Sequence, residues 1–143
     1  MNRRSMLLAA MPLLLGASGY APAAETRFAL AVVGAHLSGL PLNYQLLEQE
    51  AQFVEATTTT PDYRLYALPG TEPPKPGLLR VAHGSGSAIQ VEVWSMPADG
   101  FGRFTAAVPP PLSIGTIRLA GGRTVKGFLV ESEAIKGAPD ISS

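Results

Sequence analysis

The sequence contains no cysteine. That excludes disulfides, thiol nucleophiles and cysteine-ligated zinc, and leaves stability to a packed core. Histidine is scarce, with two residues, and neither stands among clustered carboxylates, so the metal-ligand set is poor. No metal and no cofactor is expected. Charge is sparse and balanced at 11 basic and 11 acidic residues. Without a basic stripe to neutralise phosphates, nucleic acid is excluded as a partner. Long apolar runs are also missing. Met6 to Gly16 is apolar but too short to span a bilayer, and no later run is longer.

That run instead fits a secretory leader. Arg3 and Arg4 precede it as a positive region, and Ala21-Pro22-Ala23 offers small residues for cleavage. Asn2-Arg3-Arg4-Ser5-Met6-Leu7-Leu8 matches a twin-arginine pattern. The expected organisation is a signal peptide over 1–23 and one domain over 24–143, exported to the periplasm or secreted. Without Arg3 and Arg4 the remaining 120 residues carry a net charge of −2, and they suffice for one modest core.

Along the domain, Arg27 to Val33 is almost continuously apolar, as in a strand buried on both faces. Gly34 to Asn43 is a turn rich in glycine and proline. Asn43 is a plausible N-cap for a helix over Tyr44 to Ala51. Ala51 to Thr60, Tyr63 to Leu68, Leu78 to Ala82 and Ala88 to Met96 read as strands, with Ile89, Val91 and Val93 on one face and Gln90, Glu92 and Trp94 on the other. Glu72 to Gly77 is a proline-stiffened loop. Pro97 to Phe104 opens a short helix, and Pro109-Pro110-Pro111 stops it. Ile114 to Leu119 and Thr124 to Val130 flank a Gly121-Gly122 turn as a hairpin. Glu131 to Lys136 starts a helix, and Gly137 to Ser143 is a fraying tail. About six strands with two or three short helices predict an α+β fold, a small mixed β-barrel with flanking helices.

Several stretches carry a family resemblance in the same order: Val33-Gly34-Ala35-His36-Leu37-Ser38-Gly39-Leu40-Pro41-Leu42-Asn43, then Pro61 to Gly70, Pro74 to Leu78, Glu92-Val93-Trp94, Phe101 to Phe104 and Thr124 to Phe128. Together they resemble the C-terminal domain of allophanate hydrolases, in the gamma-glutamylcyclotransferase-like superfamily. The resemblance implies that superfamily's small barrel. It also implies a link to urea metabolism, since in full enzymes an upstream amidase domain hydrolyses allophanate. The C-terminal domain is assigned decarboxylation of N-carboxycarbamate in some members and a structural role in others. This chain resembles a stand-alone relative without the amidase, so an amidase partner or a homodimer is one expectation. True cyclotransferases carry a tyrosine where Val33 stands, and a base glutamate after the segment matching Trp94 to Phe104. Here Thr105-Ala106-Ala107-Val108-Pro109 follows with no carboxylate, so cyclotransferase chemistry lacks its base. Members also continue past the position of Asp140-Ile141 with a further tail.

The candidate site is a strand that ends in a glycine turn before a helix. Gly34, Ala35 and His36 could offer N–H groups to a small anion. His36 is the candidate proton donor, because imidazole titrates near neutrality. Arg64 and Tyr66, two apart on one strand face, could clamp a carboxylate. Lys75 rides the stiff loop, and Asn43 is a further contact. Each has a plainer alternative: a closed turn, a packed histidine, a surface ion pair, a solvated lysine, a helix cap. His83 in its Gly/Ser loop reads as solvated, Trp94, Phe101 and Phe104 as core, and Ser38 lacks a nucleophile's partners. The expected ligand is a small carboxylated urea- or amide-type anion. Binding, decarboxylation and a purely structural role remain the three competing functions.

Overall fold

The structure is a computed structural model that describes residues 25–143. The expected signal peptide over 1–23 lies outside the described residues. Among the described residues there are seven strands: β1 Arg27–Val32, β2 Gln52–Thr58, β3 Tyr63–Ala67, β4 Pro76–Arg80, β5 Gln90–Pro97, β6 Leu112–Arg118 and β7 Thr124–Val130. Two α-helices, α1 Tyr44–Leu47 and α2 Ala98–Ala106, and two 3-10 turns, Gly34–His36 and Ser132–Ile135, join them. Five strands form one sheet in the order β2-β5-β1-β7-β6, and β3 and β4 form a second.

β1 is central, as its apolar run requires. It pairs antiparallel with β5, placing Leu30 opposite Trp94, and parallel with β7, placing Ala31 opposite Gly127. Alternation then divides the core in two. Ala31 and Val33 join Val91, Val93, Ile117 and Leu119 on the face covered by Tyr63 and Leu78 of the small sheet. Leu30 and Val32 join Trp94, Met96 and Phe128 on the other face, beneath Leu46 of α1 and Phe104 of α2. Tyr63 is 0% exposed, and its hydroxyl oxygen accepts the Arg118 N–H at 3.0 Å. One buried phenol thereby links the small sheet to β6.

Four expectations need correction. First, no closed barrel is found among the described residues. The edge strands β2 and β6 meet only at the end, through the bridge between Thr59 and Leu119. Thr60 N–H donates to Arg118 O at 3.0 Å and Ala120 N–H to Thr58 O at 2.9 Å. The Pro61-Asp62 and Gly121-Gly122 turns follow at once, so pairing runs out. Second, α1 is a single turn. Glu50 takes a left-handed φ of 59°, and Ala51 N–H closes back onto Leu46 O. Third, Asn43 makes no side-chain cap and has a helical backbone. Successive turns over 37–46 already supply acceptors to the N–H groups of Leu40, Asn43, Gln45 and Leu46, so the second and third helical N–H groups, which a cap would serve, are already paired. Fourth, the tail does not fray. Pro139 O accepts Ala67 N–H, Ile141 N–H donates to Leu65 O at 2.7 Å, and Leu65 N–H reaches Ser142 Oγ at 2.8 Å. The tail therefore covers the free edge of β3.

Candidate functional site

The loop after β1 is fastened at several points. Gly34 has φ +62°, and a Cβ there would stand 2.3 Å from Pro76 Cδ. Both the backbone conformation and the contact with the first residue of β4 demand glycine. Leu37 N–H returns to Gly34 O at 3.0 Å and Leu42 N–H to Ala35 O at 2.8 Å. Asn43 Nδ2 donates to His36 O at 2.8 Å. On the far side Glu92 Oε1 accepts Ser38 N–H at 2.8 Å, Ser38 Oγ at 2.9 Å and Trp94 Nε1 at 3.1 Å. The loop is thus pinned to β4, β5 and α1 before any ligand arrives, which is the condition for a pre-formed site.

His36 sits at the centre, 8% exposed. Its ring stacks on Phe128 at 5.3 Å and meets Phe104 edge-on at 5.7 Å. Nε2 lies 2.8 Å from Gln45 Oε1. That acceptor places the proton of the neutral ring on Nε2 and leaves the lone pair on Nδ1. Burial lowers the His36 pKa, the Gln45 bond opposes this, and the Lys75 charge lowers it further. The imidazole is therefore neutral at physiological pH.

A cavity of about 360 Å³ opens over this ring. α1 and the residues just after it supply Gln45, Glu48 and Gln49; α2 supplies Arg103 and Phe104; Lys75 comes from the proline loop. Leu112 and Phe128 complete the apolar side, with Ala107, Val108 and Pro109. These last three belong to the stretch where the resemblance would put a cyclotransferase's base. A narrow recess continues from His36 between Ala35, Lys75 and Pro76.

The structure thus brings Ala35, His36 and Lys75 to one place, with Gly34 and Asn43 behind them as supports. It does not bring Arg64 or Tyr66 there. Arg64 donates to Ser85 O at 2.9 Å and to Asp140 Oδ2 at 2.7 Å. Tyr66 pairs with Gly77 across the small sheet and bridges Asp140 of the tail. Their physical role is to hold the C-terminal segment. The His83 side chain is 90% exposed beside Asp62 Oδ1 at 2.9 Å. Among the described residues no group of three or more His, Asp or Glu side chains is placed to hold a metal ion. Sequence reasoning missed Gln45, Glu48, Gln49, Arg103 and Phe128. The first three share a helical i, i+3, i+4 spacing that marks one face. Nothing local in the sequence announces Arg103 or Phe128.

Comparison with known proteins agrees with this architecture. The family profile of the allophanate hydrolase C-terminal domain matches residues 28–143. The urea amidolyase of Lachancea kluyveri is 48% identical over 121 residues, covering 82% of this chain and 7% of its own. That of Saccharomyces cerevisiae is 46% identical over the same shares. The chain therefore spans only a small part of these curated relatives. The structure of Kluyveromyces lactis allophanate hydrolase superposes with a TM-score of 0.77 at 49% identity, over 81% of this chain and 19% of that one. A uropathogenic E. coli-specific protein superposes with a TM-score of 0.74 at 34% identity, over 82% of this chain and 89% of its own, so a relative of similar size exists. A gamma-glutamyl cyclotransferase at 13% identity and a TM-score of 0.55 shares the fold alone. On the match over 28–143 and on these identities, the chain belongs to the allophanate hydrolase C-terminal domain family.

Proposed function

We propose that this chain is a binding domain for a small carboxylated urea- or amide-type compound, held in the cavity over His36. The observation that carries the reading is a neutral, aromatic-packed His36 in a wall that also presents Lys75 and Arg103. An apolar side faced by convergent polar groups suits a small ligand, and the two cations suit its carboxylate. A ligand that binds only the folded state raises its stability, by about 2.7 kcal/mol at a hundredfold excess over Kd. Thermal melts with small carboxylates of the malonate type should therefore rise by several degrees. The rise should vanish in Lys75→Met. Unchanged melting across the series would remove the reading.

Decarboxylation is the second function, favoured by the presence of His36 in the cavity of a chain related to allophanate hydrolases. In that step the carboxylate leaves as CO2, the N–C electron pair stays on nitrogen, and nitrogen takes a proton. His36 is the candidate donor. Its lowered pKa makes the protonated form scarce at neutral pH, so binding ranks above turnover. A decarboxylation assay fed by a separate amidase domain, with His36→Ala as control, tests this. No acceleration over buffer removes it.

Export through the leader and association with an amidase or with a second copy belong to the same proposal. Both rest on sequence pattern and on relatives that carry this domain within longer chains. Fractionation of producing cells tests the first, and concentration-dependent sedimentation the second.

A further inference from the structure

The loop that carries His36 has a second concave surface beside it. Glu92 and Gln90 of β5 stand opposite Ala56 and Thr58 of β2 in the ladder. Opposed residues two apart along a strand point to one face, and here it is the face of Trp94. With Leu37, these four side chains line a groove of about 310 Å³. None of the five lines the His36 cavity. The loop over 34–43 therefore divides the two, with His36 on one side and Leu37 on the other.

The Glu92 carboxylate is used unevenly. Oε1 accepts Ser38 N–H at 2.8 Å, Ser38 Oγ at 2.9 Å and Trp94 Nε1 at 3.1 Å. Among the described residues Oε2 accepts no hydrogen bond, and neither the Thr58 hydroxyl nor the Gln90 side-chain amide is engaged. No cation answers the charge either. No Lys or Arg lines the groove, and Glu92 is in no salt bridge among the described residues. Arg123 reaches β2 but pairs with Glu55, which stands opposite Val93 and so on the other face. A carboxylate oxygen, a hydroxyl and an amide oxygen on one face are three acceptors. They suit a cation with several N–H groups, because charge-assisted N–H···O bonds are the strong ones. An anion would meet the like charge of Glu92 with no cation to offset it.

We propose that this groove is a second ligand site, for a small organic cation with N–H donors, of the ammonium or guanidinium kind. The cation donates to Glu92 Oε2 while Oε1 keeps its hold on the His36 loop. Thr58 and Gln90 accept the remaining N–H groups. The site is independent of what the His36 cavity binds.

Trp94 is the single tryptophan of the chain, and its indole N–H already lies on Glu92, so its resonance reports the groove without ambiguity. Methylammonium and methylguanidinium are the probes, and tetramethylammonium, a cation without N–H, is the control. Titration of the purified chain at low salt, where a partly exposed charge is least screened, should shift the indole N–H saturably at one cation per chain. Tetramethylammonium should bind about tenfold more weakly, the worth of a charge-assisted hydrogen bond. Glu92→Gln keeps an oxygen for Ser38 but removes the charge, and should weaken both probes by a similar factor. Ala56→Leu leaves the Glu92 bonds in place, fills the groove and should abolish the shift. Far-ultraviolet circular dichroism checks that each variant is folded. Binding of only one probe identifies the cation and upholds the site. Tetramethylammonium matching the probes, unchanged binding in Ala56→Leu, or no saturable shift with either probe overturns it, and each of these leaves the reading of the His36 cavity untouched.

Discussion

Replacing Gly34 by alanine tests how the site loop is held. Two penalties act together. A φ of +62° is left-handed, which costs an L-residue about 1–2 kcal/mol. The new Cβ would also stand 2.3 Å from Pro76 Cδ and 2.4 Å from Pro76 Cγ. A proline ring at the start of a strand cannot swing aside as a long side chain would, and overpacking of this kind costs about 1–3 kcal/mol. Gly39 supplies the internal control. Its φ is +79° but a Cβ there meets nothing within 4 Å, so Gly39→Ala carries the backbone term alone. At roughly 4 °C per kcal/mol for a domain of this size, Gly39→Ala should melt about 4–8 °C lower and Gly34→Ala about 8–20 °C lower. Thermal and urea unfolding of both variants measure the difference. Because Pro76 follows Lys75, Gly34→Ala should also weaken binding of a carboxylate ligand, while Gly39→Ala should not. Equal melting of the two variants would refute the packing argument.

Three further outcomes follow from the structure. His36 has a pKa below its usual 6.5 in the folded chain, so the unfolded chain takes up the proton first as pH falls. Stability is therefore lost from about pH 6.5 downward until the folded ring also protonates, and His36→Gln should flatten this part of the melting profile. Tyr63→Phe leaves the Arg118 N–H without its acceptor and should cost about 1–3 kcal/mol in urea unfolding. Asp140 is lowered to about 2 by the Ser142 hydroxyl, the Ser142 N–H and Arg64. Its contribution is present above the ordinary carboxylate value of 3.8 and is lost as pH falls toward 2. Asp140→Asn should speed amide exchange at Ala67 and Ile141 while leaving the β1 amides unchanged.

The folded chain explains why the His36 cavity is assembled as it is. Its walls come from the loop after β1, the α1 turn, the proline loop before β4, α2 with the residues after it, and β7. Each is anchored to the large sheet or to a neighbour by contacts already described, so the groups facing the cavity are set by packing rather than by the ligand. Glu92 illustrates this at a distance: one carboxylate oxygen on β5 fixes Ser38 and so the far side of the loop that carries His36.

The sequence alone determined the central strand, the strand faces of β5, the hairpin of β6 and β7, and the family. These depend on local alternation, on glycine and proline positions, and on contiguous motifs, all of which a linear chain displays. It also pointed to His36 and its glycine turn, and His36 lines the cavity. Only the tertiary structure decided which other side chains join them. Arg64 looked like a clamp because strand periodicity fixes the face of a side chain but not what lies opposite; here the opposite partner is Asp140, some way along the chain, and the tail is bound rather than frayed. Asn43 looked like a cap because its residue type favours one, yet the turns before it had already satisfied the backbone. Glu48, Arg103 and Phe128 converge through sheet order and helix packing, which depend on contacts between residues far apart in sequence and leave no mark at any one position.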